Sequence, residues 1–465
     1  MAASLSRTPS GAGNQRTWTY SGWFKLCTTD QNVFLLSAGA YGDSKSMQFL
    51  IANSGNFLQF QGFSSGGSAD FNCETDAELR DIGSWYHIMV ACDTTQATAS
   101  DRAKIYINGQ LQTLRTATYP TQNYDTGVNT TIAHEINDRP GGTFEQQLYA
   151  SHIHLTDGNT YAATTFGETD ATTGQWKIKT SPSVSYGTNG FFIMKDNGSG
   201  TDQSGQSNNW TANGTIINTQ DNPSDNFCII SSLDNMAGNN TTVPGKLTTG
   251  NTAFSTSDAN RIYTRGSFGV NSGKYYWEAK QGNGTGWAIG IMVEGMLTNT
   301  NNQFWDNTAI CGVAANGSSN TLYINGASGD SWNTGITVSA SSIYGFALDV
   351  DNRALYIHHN GTYLTANSAV GDPTSGSSRT GSVLGELTTR GGTGGLNYIP
   401  VGEFIYPLMV DTSTNNYSEL KMNFGNGFFG TTAISSEGTN ASNIGKFEYN
   451  VPTGYTALST KGLNE

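Results

Sequence analysis

Three short stretches of the chain repeat one pattern, an apolar strand followed by Asn-Gly. Lys104 to Leu111 reads KIYINGQL, Thr321 to Ser328 reads TLYINGAS, and Ala354 to Leu364 reads ALYIHHNGTYL. The alternation of apolar and other side chains is typical of a strand with one buried face, and Asn-Gly adopts positive φ at both centres of a type I′ turn. The pattern therefore predicts β-hairpins, which form antiparallel sheets.

Strand signals of this kind recur along the whole chain. Arg16 to Leu26 reads RTWTYSGWFKL, and the stretches NVFLLSAGA, SMQFLIA and NFLQFQGF follow it, each bounded by Gly, Asn, Asp or Ser. Helical periodicity is weak, and only Thr75 to Gly83, TDAELRDIG, is compatible with a turn or two of helix. Regular short strands with turn signals between them predict antiparallel sandwiches.

The length of 465 residues exceeds what one ordinary core accommodates. Between Asn197 and Gly245 the composition shifts to turn-forming residues, and Asp196 to Gly245 contains no Lys or Arg. We interpret this stretch as the seam between domains. The prediction is an all-β fold of two antiparallel β-sandwich (jelly-roll-like) domains in tandem, spanning residues 1–224 and 225–465.

Charge and cysteine content exclude several classes of function. The formal net charge is −13, which argues against a nucleic-acid partner because phosphate binding requires clustered Lys and Arg. The five cysteines lack CxxC spacing, so we expect reduced, buried thiols. No stretch approaches the ~20 apolar residues of a membrane span, and the N-terminal residues carry no apolar leader, so neither membrane insertion nor export is expected.

Both predicted domains resemble known families. The first resembles a concanavalin A-like lectin/glucanase module of the laminin G kind in the stretches TWTYSGWFKL, GSWYHIMVACDTT and AKIYINGQL. The second resembles a SPRY domain in five blocks that occur in the family's order: GKYYWEAK, WAIGIM, FALDVDNRALYIHHNG, YPLMV and MNFGN. Both families are two-sheet antiparallel sandwiches, so the resemblance implies the fold that the strand pattern predicts.

The tandem as a whole resembles structural proteins of marine tailed bacteriophages, cyanobacterial phages among them. The joining stretches, including FGETDATTGQWKIK and DNPSDNF, contribute to this resemblance. It implies a virion protein assembled in the cytoplasm of the bacterial host. Proteins of this kind are usually assigned to appendages such as tail fibres.

The lectin/glucanase resemblance requires a search for paired catalytic carboxylates. The nearest pair is Glu135 and Asp138, but at a spacing of three they would point to opposite faces of one strand. The E-x-D-x-x-E arrangement of the glucanases is missing, so we expect a loop carboxylate here and no enzyme. His152 and His154 could bind a metal together, but no third ligand lies at suitable spacing, and solvated strand-face histidines are the expectation.

Metal binding is not assigned elsewhere. Asp349, Asp351 and Asn352 resemble a calcium loop, but in SPRY domains this Asp pair forms a turn, so a structural role is expected. The laminin G resemblance leaves open a structural calcium ion at the sandwich rim, with no ligands assigned on this chain. No other cofactor is expected.

Two tryptophans in polar surroundings are the candidate ligand-binding residues. Trp305 and Asp306 lie in NQFWDNT, and Trp332 and Asn333 lie in GDSWNTG, both interpreted as loops. Aromatic rings beside Asn and Asp stack on sugars and hydrogen-bond their hydroxyls, and recognition residues gather in loops at the ends of sandwiches. The alternative, that both rings cover the edge of the core, stays open.

From these observations we expect a non-enzymatic virion component, a tail fibre or appendage protein that attaches to a host surface glycan or protein receptor. Its expected partners are further virion proteins and copies of itself, with a trimer favoured. Two alternatives remain open: a head or neck decoration protein, and a polysaccharide depolymerase that would depend on Glu135.

Overall fold

The computed structural model describes residues 3–195, 199–232, 236–237, 246–256, 262–282, 286–294, 310–315, 321–324, 332–366, 368–384, 402–411 and 418–464. Contacts divide the chain into two compact units, the first comprising Met1–Asn218 with Asn222–Ser224 and the second Thr219–Asp221 with Asp225–Glu465. Helical structure in the described residues is limited to short 3₁₀ turns at Ala99–Asp101, Ala163–Thr165, Gly376–Ser378 and Gly462–Asn464. The all-β prediction is confirmed.

The described strands of the first unit vary from two to ten residues in length. They are β1 (Ser4–Arg7), β2 (Thr17–Leu26), β3 (Val33–Ala38), β4 (Ser46–Ile51), β5 (Phe57–Phe63), β6 (Ala69–Glu78), β7 (Trp85–Asp93), β8 (Ala103–Ile107), β9 (Gln110–Leu111), β10 (Leu114–Thr118), β11 (His134–Ile136), β12 (Leu148–Asp157), β13 (Gly167–Thr169), β14 (Trp176–Ile178), β15 (Phe191–Ile193) and β16 (Thr211–Asn213).

Two sheets of the first unit form an antiparallel sandwich. Among the described residues, an eight-stranded sheet runs in the order β10-β6-β5-β4-β3-β11-β1-β16 and a six-stranded sheet in the order β15-β12-β2-β7-β8-β9. The hairpin predicted from KIYINGQL joins β8 to β9, with Asn108 at φ 47° and Gly109 at φ 79°. Both centres of the turn therefore have positive φ, as a type I′ turn requires.

Aromatic side chains fill the space between these sheets. Trp18 and Tyr20 of β2 meet Phe60 and Phe49 of the facing sheet, with ring centroids 5.7 and 6.2 Å apart. All four side chains are fully buried. Burial of a side chain of this size stabilises the fold by about 1.5–3 kcal/mol, so this layer holds the sheets together.

A third layer covers the outer face of the six-stranded sheet. His87 of β7 lies there between Trp23 and Trp176, with ring centroids 5.1 and 5.8 Å away. Trp176 Nε1 donates a hydrogen bond to His87 Nδ1 at 3.1 Å, and His87 Nε2 lies 2.8 Å from Ser21 Oγ. Because Nδ1 accepts, the ring proton sits on Nε2 and is donated to Ser21. The segment after β12 thus packs on the sandwich.

The second unit is built in the same way. Its described strands are β17 (Met236–Ala237), β18 (Lys246–Thr248), β19 (Ala253–Thr256), β20 (Ile262–Arg265), β21 (Lys274–Gln281), β22 (Trp287–Val293), β23 (Ile310–Ala315), β24 (Thr321–Ile324), β25 (Trp332–Thr337), β26 (Ile343–Asp349), β27 (Ala354–His359), β28 (Thr362–Tyr363), β29 (Thr365–Ala366), β30 (Ala369–Val370), β31 (Ile405–Asp411), β32 (Ser418–Asn423), β33 (Phe428–Phe429), β34 (Thr432–Ala433) and β35 (Thr456–Ala457).

Two larger sheets again face each other. As far as the described residues extend, one follows the order β17-β20-β31-β22-β23-β24-β25 and the other β18-β19-β32-β21-β26-β27-β28, with β35 added in parallel to β21. Trp287 of the first sheet contacts Tyr344 of the second, with ring centroids 5.0 Å apart. The predicted hairpin of ALYIHHNGTYL joins β27 to β28 through Asn360 at φ 49° and Gly361 at φ 83°.

The stretch FEYNVPTGYTAL, predicted to be a packed tail, covers the outer face of the sheet that contains β21. Phe447, Val451 and Tyr455 are buried against Tyr276 and Tyr356. Beneath them, Glu278 of β21 is fully buried and accepts the backbone N–H groups of the tail's Glu448 and Tyr449 at 2.9 and 2.8 Å. The prediction of a packed tail is confirmed.

Candidate functional site

A line of polar side chains crosses the eight-stranded sheet of the first unit on the face turned away from its core. Residues directly opposite each other in a ladder point to the same side of a sheet. The ladder registers align one residue from each strand across the whole sheet, and we call this alignment the polar row: Thr118, Asn72, Gln61, Gln48, Ser37, Glu135, Ser6 and Thr211.

At one end of the polar row the side chains satisfy one another. Glu74, two residues from Asn72 on β6, accepts hydrogen bonds from Asn72 Nδ2 and Gln59 Nε2, both at 2.9 Å. Its second oxygen accepts the hydroxyl of Thr116 at 2.7 Å. These contacts fix the side chains at this edge of the sheet in one arrangement, so this part of the face is preorganised.

The centre of the polar row contains an unsatisfied donor. Gln48 is 3% exposed, and its Oε1 accepts from Gln61 Nε2 at 3.3 Å. Its own Nε2 is buried and has no hydrogen-bond partner within the described residues. An unsatisfied buried donor costs about 1–3 kcal/mol. Because this nitrogen is covered on the sheet face, a ligand oxygen could recover that free energy only by displacing the groups that cover it.

A loop from Asp138 to Gln147 folds over the same face and carries an aromatic cluster. The guanidinium of Arg139 lies over the rings of Phe34, Tyr41 and Phe144, at 5.7, 5.0 and 4.5 Å from their centroids. Phe34 is buried, whereas Tyr41 is 53% exposed and is braced against Phe63 at 5.0 Å. Tyr41 therefore presents a positioned ring to solvent beside the polar row.

Glu135 is the ionisable group at the middle of this face. Burial raises the pKa of Glu135 to about 7, and the nearby charges of Asp138 and Glu145 add to this effect. The expectation that Glu135 and Asp138 occupy opposite faces of one strand is wrong, because β11 ends at Ile136. Asp138 lies in the loop, where its Oδ1 accepts the N–H groups of Arg139 and Phe144. It is a loop carboxylate, as expected.

This arrangement is suited to binding a polyhydroxylated chain. Neighbouring strands of a sheet are ≈ 4.8 Å apart, so the polar row places amide, hydroxyl and carboxyl groups at regular intervals. Ser37 and Gln48 are buried, and the Ser37 hydroxyl is donated to the Asp138 carbonyl at 2.8 Å, so the accessible groups lie on the strands to either side. An exposed, fixed aromatic ring provides a stacking surface. Sequence reasoning did not identify Gln48, Tyr41 or Arg139, although the polar residues at alternate positions of SMQFLIA and NFLQFQGF were a usable signal.

The two strand-face histidines are buried, and the expectation that they are solvated is wrong. His154 is 2% exposed, stacks on Phe192 with centroids 3.9 Å apart, and contacts the Tyr186 hydroxyl through Nδ1 at 2.9 Å. The β-bulge between Ser151 and His154 interrupts the register, and His152 has φ 48°. No group of three or more His, Cys, Asp or Glu arranged to hold a metal ion occurs in the described part of the chain.

The Asp-bearing turn of the second unit has the predicted structural role. Asp349 accepts the backbone N–H and the side-chain Nδ2 of Asn352 at 2.9 and 2.8 Å and pairs with Lys274 at 2.9 Å. Asp351 accepts the N–H of Gly273 at 2.9 Å. The carboxylates therefore close the turn between β26 and β27.

Two of the four residues predicted to bind a ligand, Trp305 and Asp306, lie outside the described residues. The backbone of Trp332 and Asn333 forms the start of β25, opposite Ile324 and Tyr323 of β24. The interpretation of this stretch as a loop is therefore wrong for Trp332 and Asn333. Propensity alone could not reveal the strand, because its partner is supplied by β24.

The remaining expectations concern the state of the cysteines and membrane-spanning helices. All five cysteines are unbridged and buried, as predicted. Burial raises the pKa of the Cys73 thiol to about 12, so it stays protonated near neutral pH. Within the ranges that the structure describes, no helix reaches the length and apolarity needed to cross a bilayer.

Comparison with known proteins supports the lectin-like character of the first unit. Residues 3–145 match a laminin G family model described as "Concanavalin A-like lectin/glucanases superfamily". The match ends within the loop that carries Arg139 and so includes most of the polar row. No curated protein matches the sequence.

Similar solved structures include two SPRY domains and a pentraxin. The SPRY domain of human HERC1 is 13% identical, with 42% of this chain and 96% of that chain covered and a TM-score of 0.27. The TRIM65 PSpry domain is 12% identical, with 34% and 69% covered and a TM-score of 0.21. The heptameric SAP-like pentraxin from Limulus polyphemus is 13% identical, with 35% and 72% covered and a TM-score of 0.26. Similarity at this level carries no inference about activity or partners.

Proposed function

We propose that this chain is a glycan-binding attachment protein of a tailed-phage virion, a tail fibre or another appendage. The observation that carries the binding role is the polar row, with Gln48 at its centre, whose buried Nε2 has no hydrogen-bond partner among the residues that the structure describes. A sugar hydroxyl accepts a hydrogen bond from an amide and donates one to an acceptor, so a glycan strand across the sheet would satisfy this group. The exposed ring of Tyr41 stacks on a sugar at the rim of the face.

The virion setting rests on the sequence of the tandem and on its chemistry. Only 13% of the residues are charged, and the five buried thiols suit assembly in a reducing bacterial cytoplasm. The proposed protein assembles as a homotrimer, docks on another virion protein and acts without catalysis. Light scattering of the purified chain and its co-purification with particles test this assembly.

The binding role is tested by replacing Gln48 with Leu, which removes the amide and keeps the side chain's approximate size. The measurement is surface plasmon resonance of the full chain on envelope polysaccharide extracted from a marine cyanobacterial host. We expect Gln48→Leu to weaken binding about tenfold, the effect of losing one or two hydrogen bonds. The matched control is Gln110→Leu, an exposed position of β9 on the other sheet, which should leave binding unchanged. Equal affinities of the Gln48 and Gln110 variants would contradict the role of the polar row.

Virion location is tested separately by immunogold labelling of intact particles. Label at the tail tip or fibres supports the attachment role. Label spread over the capsid in many copies, together with no affinity for host polysaccharide, would assign the protein to head decoration.

One observation favours a second function, depolymerisation of the bound polysaccharide. A carboxyl with a pKa near 7, such as Glu135, can donate a proton to a glycosidic oxygen at neutral pH. The test is release of reducing sugars from the same polysaccharide by the natural chain and by Glu135→Gln. Release that depends on Glu135 would establish an enzyme, whereas binding without release supports the attachment protein.

A further inference from the structure

The two facing sheets of the second unit end near each other and leave a cleft between their edges. β25 is the last strand of one sheet, and the β27–β28 hairpin ends the other. The cleft has a volume of about 400 Å³ and is lined by Thr334 and Ile336 of β25 and by residues 359–360 and 362–365 of the hairpin and the strand that follows it. This volume lies in the range of small-molecule sites.

The inner wall of the cleft is apolar and belongs to the core. Ile336 is partly buried and packs against the main hydrophobic cluster of the second unit, and Leu364 is 3% exposed within that cluster. A ligand in the cleft would therefore contact rigid apolar surface on one side. Contact of this kind contributes binding energy without ordering a loop.

The rim of the cleft carries hydroxyl groups that the protein does not use. Thr362 and Thr365 are exposed, and within the described part of the chain their side chains make no hydrogen bond. The hydroxyl of Tyr363 is buried, and its ring lies beside His358 with centroids 5.4 Å apart and packs on the cluster that contains Tyr276 and Phe447. The hydroxyls of Thr362 and Thr365 are thus the ones available to a ligand.

The amide at the tip of the hairpin is held in place. Asn360 Oδ1 accepts the backbone N–H of Ile343 at 2.9 Å, and Asn360 donates its own N–H to the carbonyl of Ile343 at 2.8 Å. With its oxygen engaged, the side chain directs its Nδ2 toward His359 Nε2 at 3.4 Å, which leaves the second amide hydrogen for a ligand. The hairpin therefore presents a preorganised donor next to the unused hydroxyls.

Among the residues that the structure describes, those lining the cleft carry no charge. Its lining consists of Thr, Ile, Asn, Tyr, Leu and the neutral ring of His359, whose pKa is lowered by burial. Neutral donors and acceptors beside apolar surface match a sugar, with its hydroxyls and its C–H faces. We propose that this cleft is a second binding site, for one or two units of a neutral saccharide. This proposal rests on the proposed attachment function.

An extended peptide fits these edges less well. Addition of a peptide strand needs a regular row of backbone groups on the sheet edge. β28 has two residues, and the pairing of β24 with β25 shifts register between Thr321 and Tyr323, where Gly335 has φ 72°. Neither edge offers the length of regular backbone that strand addition requires.

The site is tested by NMR on the full chain with labelled isoleucine methyl groups. The probes are neutral tetrasaccharides of glucose, mannose and N-acetylglucosamine. We expect at least one of them to shift the Ile336 methyl resonance saturably, with that resonance assigned from an Ile336→Leu variant. The double variant Thr362→Val, Thr365→Val removes two hydroxyls at nearly constant shape, and the loss of two hydrogen bonds should weaken this binding at least about tenfold.

Two controls separate this site from the polar row. Thr432→Val changes an exposed threonine of β34 outside the cleft and should leave the shift unchanged. Gln48→Leu should also leave it unchanged, so failure of the first site does not hide the second. Absence of any saturable shift with the three probes, or equal affinity of the natural chain and the double variant, would overturn the proposal. A shift caused by a neutral tetrapeptide but by no saccharide would assign the cleft to a protein ligand instead.

Discussion

Replacement of Glu278 by Gln tests how the tail is fixed to the outer face of the second unit. Glu278 is fully buried, and each carboxylate oxygen accepts two hydrogen bonds. Oε2 accepts from Asn423 Nδ2 and the Glu448 N–H, and Oε1 accepts from the Tyr276 hydroxyl and the Tyr449 N–H. Despite these donors, burial dominates and raises the pKa of Glu278 from 4.5 to about 7.

The sign of the pH dependence follows from this shift. Between pH 4.5 and about 7 the folded state holds a proton on Glu278 that the unfolded state has released. The free energy of unfolding therefore falls as pH rises through this window. Over this pH interval the free energy of unfolding falls by about 3 kcal/mol. Gln does not titrate, so the variant lacks this dependence.

At low pH, the hydrogen bonds of residue 278 determine the difference in the free energy of unfolding between Glu278→Gln and the natural chain. His358 Nδ1 accepts the Gly361 N–H, so the neutral ring carries its proton on Nε2 and donates it to the Tyr276 hydroxyl, 2.7 Å away. If the Gln amide nitrogen faces Tyr276, the Tyr276 hydroxyl can accept from it but loses the acceptor of its own proton. The N–H of Tyr449 then has no acceptor, which costs about 1–3 kcal/mol. We expect Glu278→Gln to be less stable than the natural chain by that amount at pH 5, and the difference to close or reverse by pH 8. His358, whose pKa burial lowers to about 3, stays neutral throughout.

The assay is urea unfolding followed by tryptophan fluorescence at pH 5, 6, 7 and 8, with the transition of the second unit fitted separately. Glu437→Gln is the control, because Glu437 is exposed and pairs with Lys446 at the surface at 3.1 Å. The control should follow the pH dependence of the natural chain. Parallel pH profiles for Glu278→Gln and the natural chain would refute the reasoning.

Three further predictions concern turns, histidine and thiols. Gly361→Ala should lower the stability of the second unit by about 1–2 kcal/mol, measured by thermal melting. The reason is that Gly361 has φ 83° and that a Cβ there would lie 2.8 Å from Tyr449 Cδ1. An unchanged melting temperature would contradict this. Burial lowers the pKa of His87 from 6.5 to about 3, so its contribution to stability is lost as pH falls below 6.5, and circular dichroism should show a weaker acid dependence in His87→Asn. The five cysteines should resist a thiol-specific reagent until the chain is denatured, and rapid labelling of the native protein would count against their burial.

The parts of the fold that the sequence predicted are those set by local chemistry. Asn108-Gly109 and Asn360-Gly361 form turns with positive φ, and the flanking strands alternate as their side chains require. The turn made by Asp349 follows in the same way, because its hydrogen bonds reach only a few residues along the chain.

The misplaced features depend on partners distant in sequence. Thr75 to Gly83 was compatible with helix, but β6 extends to Glu78 because Phe57 of β5 pairs with it. His152 and His154 look exposed by alternation, yet the segment after β12 covers them. The polar row could not be predicted as a unit, because its alignment depends on the register of every strand in the sheet.

In each unit a residue near its beginning pairs with a residue near its end, and this has a consequence for biosynthesis. In the first unit Ser4 pairs with Asn213, and in the second unit Phe227 bridges to Ser459. Neither sandwich can close while its later residues are still inside the ribosome. Each unit must therefore complete folding only after its whole length has been translated, and its unpaired sheet edges remain open to other nascent chains until then.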